Sequence, residues 1–117
     1  MEAATSGTTR LDGRDAKLLY AATVEFSSAP FRAERLALAY LPAVAKVLDF
    51  GARSYSFCRS DEDPDKFVHV STWDNKVDFE QYWFSRDMQK IRTEIQGMHD
   101  LPLLPHWHTV IEHSSFA

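Results

Sequence analysis

The chain has 117 residues, which is enough for one domain and too few for two. Its 44% hydrophobic and 26% charged residues are ordinary for a soluble globular domain, and its net charge of −4, without a basic cluster, argues against nucleic-acid binding. A single cysteine, Cys58, excludes an intrachain disulfide and a cysteine-rich zinc site. No apolar run approaches the ~20 residues that span a bilayer, and the first ten residues lack the apolar core of a signal peptide, so we expect a cytoplasmic protein that does not bind membranes.

The chain begins with a polar tail and a strand. Residues 1–15 are small and polar, so we expect a mobile tail ahead of a single domain at residues 16–117. Residues 17–26 read KLLYAATVEF and are largely apolar on both alternating faces. This pattern predicts an interior strand that is covered on both sides.

A helix is predicted after this strand. Ser28 is suited to cap its first turn, and Pro30 can lie within that turn, where its missing N–H costs nothing. Pro42 interrupts the helical pattern, so we expect the helix to kink or restart near Leu41. Gly51 then ends the segment, because glycine suits a position of positive φ or close approach.

The middle of the chain predicts a β-hairpin. Residues 52–60 form a second strand, residues 61–65 a polar loop, and residues 66–72 a third strand antiparallel to the second. Successive side chains of a strand point to opposite faces, so alternate residues share a face. One face of the third strand is predicted to carry Phe67, His69, Ser71 and Trp73.

The rest of the chain predicts a long helix and a last strand. The helix follows Asn75 and runs to about Gln96, where Gly97 stops it. Two prolines make residues 98–105 an extended connection, and the last strand is expected at residues 106–113. One face of that strand is predicted to carry His106, His108, Val110 and Glu112.

The order of these elements is β-α-β-β-α-β. This order predicts an α+β, ferredoxin-like domain whose antiparallel sheet has two helices on one face. The strands carry apolar or aromatic residues on both faces, so the sheet face without helices needs a cover. A second copy of the chain is the economical cover, and we expect a homodimer with facing sheets.

Three stretches carry a resemblance to a known family: VSTWDN, DFEQYWFSRDMQKIR and WHTVIEH. With the order of elements, they make residues 17–113 resemble the antibiotic-biosynthesis-monooxygenase family, whose members are dimeric α+β-barrel proteins. The superfamily includes cofactor-independent oxygenases of phenols and quinols, haem-degrading enzymes and members of unknown function.

The resemblance implies a role for particular positions. Trp73 lies where such oxygenases place a cavity tryptophan, which they follow with a tyrosine. At the position of that tyrosine, about one helical turn after Trp73, this chain has Phe79. Tyr82 lies nearby on the helix, but not at the position that matches the family's tyrosine. Haem-degrading relatives place an axial histidine where this chain has Trp83, and they carry a first-strand asparagine that residues 17–26 lack. These departures argue against haem degradation.

His69 is the candidate for acid–base chemistry. It lies four residues before Trp73 on the same strand face, roughly 13 Å away along the strand. Because the pKa of histidine lies near neutrality, His69 can act as a general base or a hydrogen-bond partner for a phenolic substrate. The alternative is a core histidine that is paired with a neighbouring backbone group.

The remaining candidates each have a structural alternative. The aromatic side chains can line a pocket for a planar ligand or form the core and dimer interface. Arg53 can hold an anionic group or lie at the surface. His106 and His108 have a spacing that can bind a metal with a third ligand from Glu112, His69 or Glu25, or they can simply be exposed. The aromatic set is Tyr20, Phe57, Phe67, Trp73, Phe79, Tyr82 and Trp83.

These patterns and the resemblance predict a monooxygenase that needs neither metal nor cofactor and oxidises a phenol or quinol. The expected catalytic residues are His69, Trp73 and Tyr82. The alternatives are a non-catalytic small-molecule-binding or stress-related dimer, and an isomerase or cyclase on the same scaffold; oxygen consumption separates them from an oxygenase. The expected substrate-binding residues are Tyr20, Arg53, Phe79, Trp83 and His108.

Overall fold

The computed structural model describes residues 18–100 and 102–113, and the predicted tail at residues 1–15 lies outside them. The described chain is an α+β fold built on a four-stranded antiparallel sheet, which confirms the predicted ferredoxin-like class. Its elements in chain order are β1 (Tyr20–Ser27), α1 (Ala33–Lys46), a 3-10 helix (Val47–Phe50), β2 (Ser54–Arg59), β3 (Lys66–Trp73), α2 (Lys76–Trp83), α3 (Arg86–Glu94) and β4 (Pro105–Thr109).

Strands β1 and β3 occupy the middle of the sheet, whose order is β2-β3-β1-β4. β1 pairs antiparallel with both β3 and β4, so the prediction of an interior first strand is confirmed. The β1–β3 register places Tyr20 opposite Trp73 and Val24 opposite His69, and β2 adds Phe57 beside His69. Residues that lie directly opposite each other share a sheet face, so these five side chains project to the same side.

The helices pack on that side, which we call the inner face of the sheet. Its strand residues join the buried stripes of the helices in one hydrophobic core. As the alternation predicts, the residues at positions 67, 69, 71 and 73 are all buried. The opposite side, which we call the outer face, carries Ala21, Thr23, Glu25, Ser54, Ser56, Cys58, Val68, Val70, Thr72, His106 and His108.

The predicted long helix after Asn75 is wrong as a single element. The structure divides it into α2 and α3, and Ser85 caps the start of α3 by accepting a hydrogen bond from the Met88 N–H. The Ser85 hydroxyl also donates to the Tyr82 carbonyl at 2.7 Å. The buried apolar residues Trp83 and Met88 are five positions apart in the sequence. A continuous helix would place two residues at this spacing on different sides. The break realigns the two halves so that both face the core.

Helix α1 also differs from expectation, at its start and in its interior. Ser28 does not cap it: its backbone N–H bonds to the Asp65 carbonyl, and the helix begins only at Ala33. The predicted restart near Leu41 is not observed, because α1 runs on through Pro42. Pro42 is exposed, so water can replace the backbone bond that a proline removes. At the end of the following 3-10 helix, Gly51 has the expected positive φ of 108°.

The last strand is shorter than predicted and ends at Thr109. Its alternation is nonetheless as expected. Trp107 packs against the core on the inner face, whereas His106 and His108 are exposed on the outer face.

Within the described ranges, we find no helix that has both the length and the apolar character needed to cross a membrane.

Removing the Ser85 cap should weaken the junction between α2 and α3. We expect Ser85→Ala to lower the free energy of unfolding by about 1 kcal/mol, because a first-turn N–H loses its partner. Ser85→Asp is the matched control, since its carboxylate can still accept that N–H and suits a helix N-terminus. Urea denaturation measures the effect. Equal stabilities of the alanine and aspartate variants would contradict the capping role.

Candidate functional site

An aromatic layer fills the space between the inner face and the helices. At one end, around His69, the Phe26 and Tyr40 rings have centroids 4.9 Å apart, and the Phe57 and Phe67 rings stack at 5.7 Å. The Tyr40 and Phe57 rings meet the His69 ring edge to face, at 5.5 and 6.2 Å. Phe57 is the only half-buried member of this group and lies on the edge strand β2. It is therefore the most exposed ring of this group.

His69 is buried with one of its two ring nitrogens unpaired. Its side chain is 2% exposed, and Nδ1 lies 2.7 Å from the Tyr40 hydroxyl oxygen. Nε2 has no hydrogen-bond partner among the described residues. In that part of the chain, Ser28 Oγ is the only other buried side-chain nitrogen or oxygen without a hydrogen bond. Burial lowers the pKa of His69 from 6.5 to about 4, and a hydrogen-bonding interaction with the Val44 backbone partly opposes this shift. The imidazole is therefore neutral at pH 7.

The other end of the layer is packed with rings. Trp73, Phe79, Tyr82 and Trp83 are all buried, and Phe79 has its centroid within 5.5 to 5.7 Å of the other three. The indole N–H of Trp73 donates to Ser71 Oγ at 2.7 Å. The hydroxyl of Tyr82 donates to the Ala43 carbonyl at 2.8 Å. These four predicted aromatic residues are thus brought together, and the polar side-chain atoms of Trp73 and Tyr82 have partners within the protein.

Tyr40 connects the two ends and was not among the predicted site residues. It is fully buried in α1, and its pKa is raised by burial first and by the neighbouring Tyr82 second. Burial also raises the pKa of Tyr82. Sequence periodicity places Tyr40 on the apolar stripe of α1. A tyrosine in an otherwise aliphatic stripe was the available signal, because a buried hydroxyl needs a polar partner.

Two cations flank the aromatic layer. Tyr20 is half-buried, and the ammonium nitrogen of Lys76 lies 4.9 Å from its ring centroid. The guanidinium of Arg92 lies 4.8 Å from the Trp83 ring centroid and donates to the Trp83 carbonyl at 2.6 Å. These contacts fix the orientation of predicted substrate-binding residues and put positive charge at the rim of the layer.

Arg53 and His108 lie apart from the other predicted site residues. Arg53 is exposed and its Nε is 3.5 Å from a carboxylate oxygen of Asp74. His108 projects from the outer face, opposite Ala21 of β1, so the sheet separates it from His69. Within the described ranges, no three His, Cys, Asp or Glu side chains come together as a metal site would require. The third ligand that His106 and His108 would need is not provided there.

A cavity of about 670 Å³ opens at the other side of the sheet. We call it the outer-face cavity, because Glu25, Cys58, Val68 and His106 are among its lining residues. None of the expected catalytic or substrate-binding residues lines it, although Phe67 of the aromatic set and the candidate ligands Glu25 and His106 do. Leu104, which is 57% exposed, forms part of its wall. His69 does not line the cavity, but Phe26 and Phe67 from the group of rings around it do.

Acidification should destabilise the protein through His69. The pKa of His69 is about 4 in the folded protein and about 6.5 in the unfolded chain, so between these pH values the unfolded chain binds more protons at His69 than the folded protein does. The free energy of unfolding is therefore undiminished above pH 6.5 and falls as the pH drops towards 4. At pH 5 the loss is about 2 kcal/mol. Denaturant unfolding at pH 7 and pH 5 measures it. His69→Phe should remove this pH dependence of stability. The matched variant at an exposed histidine, His106→Phe, should keep it. An equal loss of stability from pH 7 to pH 5 in both variants would contradict the assignment of the effect to His69.

Comparison with known proteins supports the fold and the family. A family model described as "Antibiotic biosynthesis monooxygenase" matches residues 19–94. No protein of curated function matches the sequence. A Nitrosomonas europaea structure described as "Putative antibiotic biosynthesis monooxygenase" superposes with a TM-score of 0.73 at 15% identity, over 80% of this chain and 90% of that one.

Two further solved structures share the fold at similar identity. A Mycobacterium tuberculosis protein has a TM-score of 0.72 at 14% identity, over 83% of this chain and 99% of that one. A Bacteroides thetaiotaomicron protein of unknown function, described as a possible oxidoreductase, has a TM-score of 0.69 at 17% identity, over 81% and 100% of the two chains. At these identities the superpositions establish the fold alone. The family match covers more than half of the sequence, and the chain therefore belongs to the antibiotic biosynthesis monooxygenase family.

Proposed function

We propose that this protein is a monooxygenase that oxidises a phenolic or quinol-type aromatic molecule without metal or organic cofactor. Family membership supports the reaction class. The observation that carries the proposal is His69, whose buried Nε2 has no partner among the described residues. A buried polar atom without a partner costs about 1 to 3 kcal/mol, so such atoms are rare in native proteins unless they serve a site.

The surroundings of His69 suit a flat aromatic ligand. The Phe26, Tyr40 and Phe57 rings approach from the sheet and from α1 and offer faces and edges on which a planar molecule can stack. A ligand that displaces half-buried Phe57 would approach the His69 ring from the edge strand β2. In this proposal Trp73, Tyr82, Phe79 and Trp83 shape the far end of the site, and Tyr20 lies at its rim.

The proposed reaction needs no external reductant. Conversion of a phenol to a quinone removes four electrons from the substrate, and one O₂ accepts them. One oxygen atom becomes the new carbonyl and the other leaves as water, so atoms and electrons balance. Ionisation of the phenol makes the first electron transfer to O₂ easier, and His69 serves this step as a base or as a hydrogen-bond partner of the substrate oxygen.

The activity prediction is specific to His69. The purified protein should consume oxygen and form quinone products with some member of a panel of hydroquinones and polycyclic phenols, in the presence of a chelator. His69→Phe keeps a ring but removes both nitrogens, so kcat/KM should fall by at least ~100-fold. His106→Phe is the matched control and should stay near the wild-type rate.

An oxygen electrode combined with quinone absorbance measures both quantities. Turnover that survives in His69→Phe would remove His69 from the mechanism. A panel without any oxygen uptake would defeat the monooxygenase proposal. Ligand binding alone would then favour a small-molecule-binding dimer, and product formation without oxygen would favour an isomerase or cyclase.

We further propose that the protein is a homodimer that pairs through the outer face, as the family resemblance implies. The middle of this face is made of small and half-buried apolar side chains such as Val70, which lies between Thr23 and Ser56. A second sheet would cover these residues and the outer-face cavity. Burying such a face is the usual reason for an exposed apolar sheet surface.

A charge in the middle of the outer face should split the dimer. We expect Val70→Arg to halve the mass measured by light scattering, because two buried guanidinium groups would face each other. Val77→Arg is the matched control on α2, where Val77 is already 54% exposed, and it should leave the mass unchanged. A wild-type chain that runs as a monomer at high concentration would contradict the proposed interface.

A further inference from the structure

The outer-face cavity has the size of a small-molecule site. Its volume of about 670 Å³ lies within the ~300 to 1,000 Å³ that is typical of ligand pockets. Such pockets combine mostly apolar walls with a few polar groups that fix the orientation of the ligand. His69, Trp73 and Tyr82 do not line this cavity. Its apolar wall is formed by Phe26, Phe67, Val68, Pro102 and Leu104.

The strand register orders the other lining groups along the sheet. Lys66 lies opposite Ser27 at the end of the outer face. Two residues further along β3, Val68 lies between Cys58 and Glu25. A strand rises about 3.4 Å per residue, so these two rows are about 7 Å apart. The cavity therefore carries an ammonium group in its end row, and an apolar side chain beside a carboxylate in the next row.

The charged residues of the outer face converge on this cavity. Among the paired strand positions that the structure describes, Glu25 and Lys66 are the only Asp, Glu, Lys or Arg residues on that face. Both line the cavity. Charged groups beside an apolar wall are suited to orient a ligand that has an ionic group at one end and an apolar body.

The two cationic side chains of the lining differ in how firmly they are paired. The Arg59 guanidinium lies 3.0 Å from a carboxylate oxygen of Glu34 and also donates to the Pro64 carbonyl. Lys66 Nζ is 4.0 Å from a carboxylate oxygen of Asp63, which is the outer limit of an ion pair, and their side chains are 64% and 50% exposed. An exposed pair at this distance contributes little, so the Lys66 ammonium can bind an anion.

We propose that the outer-face cavity is a second ligand site, which takes an apolar molecule that carries one carboxylate group. The carboxylate pairs with Lys66, and the apolar body covers Val68 and Leu104. Glu25 excludes a second carboxylate, because like charges repel inside a site that is partly shielded from water. This site does not include His69, and the proposal goes beyond the proposed function because it needs no oxidation.

The single cysteine of the chain reports directly on this cavity. Cys58 is exposed and lines the cavity, so a bound ligand should slow its alkylation by iodoacetamide. Mass spectrometry of the full-length protein measures the rate, and we expect a saturating ligand to lower it at least tenfold. Octanoate tests a chain-like body and 2-naphthoate a flat one. Slowing by either acid supports the site, and the stronger ligand identifies the body. A rate that neither acid changes would overturn the inference, whether or not the protein oxidises phenols.

Matched ligands and a matched variant test the role of Lys66. Octanamide has the same chain without the charge and should protect Cys58 less than octanoate does at equal concentration. Lys66→Gln should weaken octanoate binding about fivefold, as the loss of an exposed ion pair would, and leave octanamide binding unchanged. Lys90→Gln, at an exposed lysine of α3, is the control and should change neither. Equal protection by octanoate and octanamide in the wild type would overturn carboxylate recognition.

A diacid tests the role of Glu25. Suberate has the chain of octanoate with a carboxylate at each end, so it should protect Cys58 less than octanoate does. Glu25→Gln should improve suberate binding more than octanoate binding. Discrimination that is unchanged in this variant would overturn the role of Glu25.

A variant that fills the cavity tests the location of the site. Cys58→Trp places an indole in the cavity from an exposed position, and it should abolish the octanoate binding that isothermal titration calorimetry measures. Cys58→Ser keeps the size of the side chain, so it is the matched control and should bind like the wild type. Octanoate binding that survives in Cys58→Trp would place the ligand elsewhere and overturn the assignment to this cavity.

Discussion

The pairing of β1 with β3 in the middle of the sheet is the constraint on which the rest of this structure depends. Its register puts Val24 opposite His69 and Tyr20 opposite Trp73. A slip of one residue would turn every side chain of β3 to the other face. The apolar parity of both strands prevents this slip, because it would expose Trp73 and bury the outer-face residues. The position of His69 beneath α1 is therefore a consequence of strand pairing.

The aromatic layer that this pairing creates has a strict requirement for its polar atoms. Each hydroxyl or N–H group that is buried in the layer needs a hydrogen-bond partner. Burying such a group without a partner costs about as much free energy as the burial of several methyl groups contributes. Trp73 finds Ser71, Tyr82 finds the Ala43 carbonyl, and Tyr40 finds His69. His69 Nε2 is the exception within the layer.

The two faces of the sheet differ in the side chains they carry and in what covers them. The inner face is closed by helices and holds the buried histidine. The outer face is made largely of small side chains and has a cavity of about 670 Å³ at one end. The separation also explains why His108, which is exposed on the outer face, does not join the inner cluster.

The sequence by itself determined the fold class, the interior position of β1 and the face on which His69 and Trp73 lie. These features follow from the alternation of apolar and polar residues along the strands and from the residue types in the turns. Both can be recognised in a short stretch of sequence. Only the tertiary structure decided that Tyr40 binds His69, because those residues meet across 29 positions of sequence. The break at Ser85 was also missed, since a capping serine within a helical pattern becomes visible only when both halves must face one core. Local periodicity specifies which side of an element is buried; the partner of each buried polar atom depends on packing between distant elements.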